Sequence, residues 1–184
     1  MDIKKNFYGG PRRFSSSIEH DYAVLALFNE IVNEDDDIYI LGDLMLKDNE
    51  HGMNLLKQLH GHLHIIIGNH DSPTRIELYK TLSNVVEITY ATIIKIGKQP
   101  YYLSHFPTYT ANYDDKPYHN HLINLHGHTH SKDKFFNDNP FMYNVALDAH
   151  QCMPISIEQI SEDIHNKINE LYQEKIKVVK LDGD

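Results

Sequence analysis

The residues that could do chemistry come in four short groups. Each follows a run of apolar residues: Gly42-Asp43, Gly68-Asn69-His70-Asp71, Ser104-His105-Phe106-Pro107 and Gly127-His128-Thr129-His130. Together they supply one bridging-capable carboxylate, one carboxamide and several imidazoles. That donor set suits borderline divalent metals, because neutral imidazole favours Mn, Fe, Ni or Zn over Mg or Ca. A carboxylate such as Asp43 can bridge two cations and lower their repulsion. The Asn69 carboxamide binds without adding negative charge, so the metal stays a strong Lewis acid. Two such ions, typically ~3.5–4 Å apart, clamp a phosphoryl group and lower the pKa of bound water towards ~7. The chemistry this donor set fits is metal-assisted hydrolysis of a phosphate ester. His70, next to a ligand position, could protonate the leaving oxygen, with Asp71 orienting its ring.

Each group has a bland reading when taken singly. Gly-Asp after a strand is usually a turn, and Asn and Asp are common turn residues. His-x-His at a strand end carries more weight, because strand alternation puts both rings on one side. The argument rests on the conjunction. In layered α/β folds ligands bind at the carboxyl ends of strands, and here four apolar strands end in a metal-capable side chain. Glycines 42, 68 and 127 let the backbone turn sharply and approach the site.

Elements to position these groups are legible in the apolar pattern. Residues 16 to 32 form a helix, with Ser16 and Glu19 as a capping box and Ile18, Tyr22, Leu25, Phe28 and Val32 at helical spacing. Strands follow at Ile38 to Leu41, Leu63 to Ile67, Tyr101 to Leu103, Leu122 to Leu125 and Met142 to Leu147. Val85 to Ile96 is rich in strand formers and has room for two strands. Asp48 caps a short helix through Leu59. Ser72-Pro73 starts another, to about Leu82. Ser156 with Gln159 opens a long helix to about Lys175. Strands alternating with helices predict an α/β layered domain with a mixed sheet. No repeat or linker interrupts the chain, so 1–184 is expected to be a single domain.

Bulk composition bounds the partners. The chain has 184 residues, 17 Lys+Arg against 26 Asp+Glu and a formal charge of −9. That argues against a nonspecific nucleic-acid binder, which needs a basic face. It leaves room for a small phosphate-ester or nucleotide-type substrate, because bound cations reverse the local sign of a site. The single Cys152 excludes an internal disulfide and fits a reducing, cytoplasmic setting. No apolar run approaches the ~18 residues of a membrane span, so no membrane association is expected. Nothing in the pattern sets an oligomeric state.

These motifs resemble the calcineurin-like metallophosphoesterase superfamily, whose pattern is D-x-H, GD, GNHD/E, H and GHxH. The resemblance covers roughly residues 11 to 160. Asn144 to Ile160 is similar to the closing strand and helix of a small bacterial and phage subgroup. It implies a metallophosphoesterase-type β-sandwich of mixed sheets flanked by helices, with two divalent ions, Mn foremost, at one end. By this resemblance Asp43 bridges the metals, Asn69, His105 and His128 complete the second, His130 binds the first, and His70 is the acid or phosphate contact. His126 has no ligand role. The implied reaction is hydrolysis of a phosphomonoester or phosphodiester by in-line attack of metal-bound hydroxide.

One motif is absent: no Asp-x-His precedes Asp43, the nearest candidates being Asp2 and His20-Asp21. The first metal then keeps only Asp43 and His130, and the fold lacks its opening strand. Three readings stay open. The chain is N-terminally truncated from a dimetal enzyme; or it is complete and works with one tight and one loosely held ion; or it is a non-catalytic module that keeps a metal-shaped pocket for structure or partner binding. The loop from Phe106 to His121, carrying Tyr109, Tyr113, Tyr118, His119 and His121, is the expected substrate loop. Arg12 and Arg13 are surface residues by this reading.

Overall fold

Ser16 opens the first helix in a computed structural model that describes residues 14–110 and 120–181. Its hydroxyl accepts the Glu19 backbone N–H at 3.1 Å, and α1 runs Ser17–Ile31. The reciprocal half of the expected capping box is displaced by one residue: the Glu19 carboxylate takes the Ser15 N–H at 2.9 Å. The apolar face of α1 is buried only in its second half. Phe28 and Val32 are in the core, whereas Ile18 and Tyr22 are 59% and 52% exposed.

Two further helices flank the first sheet. Asp48 caps α2, Asn49–Leu56, by accepting the His51 N–H at 3.0 Å. Ser72 caps α3, Pro73–Tyr79, with Pro73 at the first helical position, where a missing N–H costs nothing. Both helices are shorter than the apolar pattern suggests, because turns at 57–58 and 80–81 end them.

The strands are β1 (Asp37–Ile40), β2 (His62–Ile66), β3 (Val85–Thr89), β4 (Ala91–Ile96), β5 (Gln99–Ser104), β6 (Ile123–His126) and β7 (Met142–Asn144). They form two sheets. One is parallel, in the order β1-β2-β3, and the other is mixed, in the order β4-β5-β6-β7, with β4 alone antiparallel to its neighbour. The β-rich stretch from 85 to 96 thus divides at Tyr90 and feeds both sheets. Strand β6 is buried along its whole length, as expected for a parallel strand covered on both faces. Strand β7 is shorter than its apolar run, which continues into a 3-10 turn at Leu147–Ala149.

The long helix α4, Ile157–Leu181, covers the second sheet. Ile160, Ile164 and Ile168, at four-residue spacing, pack against Leu41, Tyr101, Leu103, Ile123, Leu125 and Tyr143. A second cluster joins Met45, Met53, Leu56, Ile65, Tyr79 and Leu82 between the first sheet and helices α2 and α3. No helix among the described residues is long and apolar enough to cross a membrane.

This α/β architecture of two sheets flanked by helices agrees with the fold expected from the sequence. Among the described residues β1 pairs only with β2. Asp2, Arg12 and Arg13 lie outside the described residues.

Candidate metal centre

Strands β1, β2, β5 and β6 deliver their carboxyl ends to one edge, and the four residue groups meet there. His105 is the hub. Its Nδ1 lies 2.7 Å from the Leu41 carbonyl, which can only accept, so Nδ1 carries the proton and donates. In the neutral ring Nε2 then holds a lone pair. Around Nε2 stand Asn69 Oδ1 at 2.9 Å, His128 Nδ1 at 3.1 Å and Asp43 Oδ2 at 3.4 Å. Oxygens and a lone-pair nitrogen at such distances repel unless a proton or a cation lies among them. Ligands ~2.0–2.1 Å from a common ion stand about 3.0 Å apart at right angles and about 3.4 Å apart at tetrahedral angles. The observed spacings span that range. The donor atoms of Asp43, His105 and His128 all lie within 4.8 Å of one another. The residues present fit a divalent cation.

The titration behaviour fits the same picture. Burial alone would lower the His105 pKa, but the bonds to Asp43 and the Leu41 carbonyl outweigh it and raise it above the ordinary value. Burial would raise Asp43, but His105 and the His70 backbone N–H outweigh it and hold the carboxyl below its usual range. His128 is lowered, by burial first and then by the neighbouring charge on His105.

The turns that bring these groups together are strained. Asp43, His128 and His130 all adopt positive φ, at 58°, 65° and 49°. For residues with a Cβ this region is sparsely populated, costs of order 1–3 kcal/mol each and clusters at functional sites. The expectation had placed the sharp turns on glycines 42, 68 and 127. Of these only Gly42 has positive φ, at 90°. Gly68 is needed for a different reason: a Cβ there would run into the Asp43 carboxylate and backbone. The left-handed turn after Gly127 is taken by His128 itself.

This backbone also separates the two rings of His128-Thr129-His130, which strand alternation would have kept together. His128 joins the cluster. His130 lies outside it, with Nδ1 3.1 Å from Asp148 Oδ2.

Asp71 does something other than orient the His70 ring. It is 5% exposed. Its Oδ2 accepts the backbone N–H groups of both Asp43 and Gly68 at 2.8 Å, and its Oδ1 accepts the Tyr79 hydroxyl at 2.7 Å. The carboxylate therefore ties the Gly42-Asp43 turn to the Gly68-Asn69 turn, and both to the end of α3. Burial, and then Asp71 itself, raises the Tyr79 pKa, so the phenol remains a donor.

His70 is exposed beside Asp43. Its backbone N–H donates to Asp43 Oδ1 at 2.8 Å and its carbonyl accepts from Arg75 Nη1 at 2.7 Å. Arg75 is itself anchored to Asn49 Oδ1 through Nε at 2.9 Å.

Other sequence expectations resolve as follows. His126 lies wholly buried in β6 with Nδ1 2.9 Å from the Gly127 carbonyl, and burial lowers its pKa. His20-Asp21 sits in α1, where Asp21 accepts from His20 at 2.8 Å and His51 at 3.1 Å, away from the metal centre. His121, the last residue of the expected substrate loop, is buried against Phe141 at the opposite end of β6. Tyr113, Tyr118 and His119 lie outside the described residues. Tyr109 is exposed, and Phe106, 49% exposed, packs edge-on against both His105 and His128. The reading from sequence gave no role to Asp148 or Arg75, and placed Phe106 only within the Ser104 to Pro107 group and at the start of the expected substrate loop. Only Phe106, adjacent to His105, carried a local signal.

A family model described as calcineurin-like phosphoesterase matches residues 18–179. An uncharacterized protein of Methanocaldococcus jannaschii is 28% identical over 179 residues, covering 94% of this chain and 86% of the relative. The Gene 66 protein of Mycobacterium phage D29 is 29% identical over 170 residues, covering 79% and 85%. A crystal structure of a protein of unknown function from Aquifex aeolicus superposes with a TM-score of 0.59 at 21% identity, covering 83% of this chain and 87% of that one. At that identity the likeness speaks to the fold.

Two outcomes follow. Tyr79→Phe leaves Asp71 Oδ1 without its buried donor, so urea unfolding should show a loss of about 1–3 kcal/mol. The raised His105 pKa means that its protonation stabilises the metal-free protein below the unfolded value of ~6.5, and that this stabilisation is lost as pH rises through the folded value. A cation displaces that proton. Calorimetric titration with Mn²⁺ near pH 6.5, in buffers of different ionisation enthalpy, should show net proton release on binding, declining as pH rises. No release at pH 6.5 would contradict this assignment.

Proposed function

Because the chain belongs to the calcineurin-like phosphoesterase family, we propose that it hydrolyses a phosphomonoester or phosphodiester with divalent cations, on a small or nucleotide-type substrate. The observation that carries this reading is the convergence of Asp43, Asn69 and His128 on His105 Nε2. These four residues would hold one ion, and Asp43 with His130 would contribute to a second. Bound there, the ions supply Lewis acidity, neutralise phosphate charge and acidify water. Manganese is the first metal to test, with Fe, Ni and Zn as alternatives.

The chain's own groups divide the remaining work. Asp43 presents one oxygen to the cluster while the other holds the His70 backbone, so the acid and the ligands share one anchor. The His70 imidazole protonates the leaving oxygen. Its peptide is fixed on both sides, by Asp43 and by Arg75, which limits where the ring can swing. Phe106 covers one side of the ligand imidazoles and keeps bulk water from that face. Cytoplasmic residence goes with this reading, since a sequence with a single cysteine suits a reducing compartment.

The second reading is a non-catalytic module on the same fold. One observation favours it: His130 is not among the residues whose donor atoms cluster around His105. Turnover separates the two. With Mn²⁺ the protein should hydrolyse p-nitrophenyl phosphate or its bis-ester, and His105→Ala should abolish the activity. His70→Ala should lower kcat by about 10²–10⁴-fold on esters with poor, alkyl leaving groups, and much less on nitrophenyl esters, whose leaving oxygen needs no proton. Equal losses on both would remove His70 from the acid role. No metal-dependent turnover on either class would support the module.

A further inference from the structure

Asp148 lies in the 3-10 turn Leu147–Ala149, after β7, and its side chain is 10% exposed. The turn is held from several sides. The Val145 N–H donates to the His126 carbonyl at 2.9 Å, and the Cys152 N–H returns to the Leu147 carbonyl at 2.9 Å. His150 Nε2 donates to the Asn144 carbonyl at 2.8 Å. Asn144, itself buried, accepts the Ala146 N–H through Oδ1 at 3.0 Å. Its Nδ2 donates to the carbonyls of Ser131 and Asp133, at 3.2 and 3.0 Å. One buried carboxamide therefore fastens the Asp148 turn to the chain that leaves His130.

A mostly buried carboxylate on a braced turn, facing an imidazole whose backbone is held at positive φ, is a built arrangement. A carboxylate only accepts, so His130 Nδ1, 3.1 Å from Asp148 Oδ2, carries the proton. In the neutral ring that choice places the lone pair on Nε2. A ligating histidine characteristically gives its other ring N–H to a carboxylate, which fixes the tautomer, aims the ring and raises its basicity.

We propose that Asp148 is the positioning residue for His130: it locks the Nδ1–H tautomer and presents Nε2 to a divalent cation shared with Asp43. The metal part of this inference rests on the phosphoesterase reading above; the tautomer part does not. It also gives the Asn144–Asp148 segment a task that no ligand motif assigns to it. His130 has lost the strand alternation that would have aligned it with His128, and Asp148 is what sets its direction instead.

The test uses the full chain, as wild type, Asp148→Asn, Asp148→Ala and His130→Ala. Long-range ¹H–¹⁵N correlation on the metal-free protein reads the His130 tautomer, with His130→Ala giving the assignment. Wild type should show Nδ1–H. Asp148→Ala should shift towards the Nε2–H form that free imidazole prefers, and Asp148→Asn, which keeps an acceptor and the same size, should shift less. Titration with Mn²⁺, with free ion followed by electron paramagnetic resonance, should show the weaker binding step reduced about 10–100-fold in Asp148→Ala. The stronger step, at the His105 cluster, should be unchanged. If Asp148→Ala keeps both the tautomer and the weaker step, the proposal is overturned. If wild type binds no Mn²⁺ at all, the phosphoesterase reading fails, and the tautomer alone decides whether Asp148 orients His130.

Discussion

Asn69 Oδ1, His128 Nδ1 and Asp43 Oδ2 crowd around His105 Nε2 at 2.9, 3.1 and 3.4 Å, a gathering of acceptor atoms that needs a proton or a cation among them, and this centre is built on that condition. His105 Nε2 looks at Asn69 Oδ1, His128 Nδ1 and Asp43 Oδ2 because its other nitrogen is committed to the Leu41 carbonyl. A proton on His105 can satisfy the arrangement in part: burial opposes the charged ring, but the hydrogen bonds to Asp43 and the Leu41 carbonyl outweigh burial and favour it. A divalent cation satisfies it better, because it can contact all four atoms. Much of the molecule reads as the apparatus that holds these atoms at that distance.

That apparatus carries local costs. Asp43, His128 and His130 occupy left-handed backbone without being glycines. The Asp71 carboxylate is buried, which is costly unless hydrogen bonds satisfy it, and it is satisfied by two backbone N–H groups and a phenol. The compensation comes from elsewhere. Sheet–helix packing of Ile160, Ile164 and Ile168 against the second sheet, and the Met45–Tyr79 cluster beside the first, bury enough apolar surface to hold the strand ends in register. Leu41 links the two roles, since its side chain belongs to the core while its carbonyl fixes the His105 tautomer.

Much of this was legible in the sequence because the physics is local. A parallel strand covered on both faces must be a short apolar run, and the residue that follows it must lie at the sheet edge; hence order brought the four residue groups to one edge, while the grouping of Asp43, Asn69, His105 and His128 on one ion came from the family resemblance. What was not legible depends on conformation that spacing does not encode. The His-x-His pair was expected to keep its rings on one side, but two left-handed residues break the alternation and send His130 to Asp148. Asp71 sits beside His70 in sequence, yet its carboxylate turns inward to two backbone amides, one of them 28 residues away. The capping boxes at Ser16 and Ser156 kept their serine half, while the acidic or amide partner found other donors and acceptors. Ile18 and Tyr22 keep helical spacing but do not enter the core, since periodicity reports a face and not what covers it.

The central claim is that one cation is held by Asp43, Asn69, His105 and His128. The most direct measurement is anomalous scattering at the manganese edge from crystals of this chain grown or soaked with Mn²⁺. The account predicts a peak bonded to Asp43, Asn69 Oδ1, His105 Nε2 and His128 Nδ1, with His105 Nδ1 still donating to the Leu41 carbonyl. A fully soaked crystal with no peak among these four atoms, or with His105 turned away from them, would contradict it.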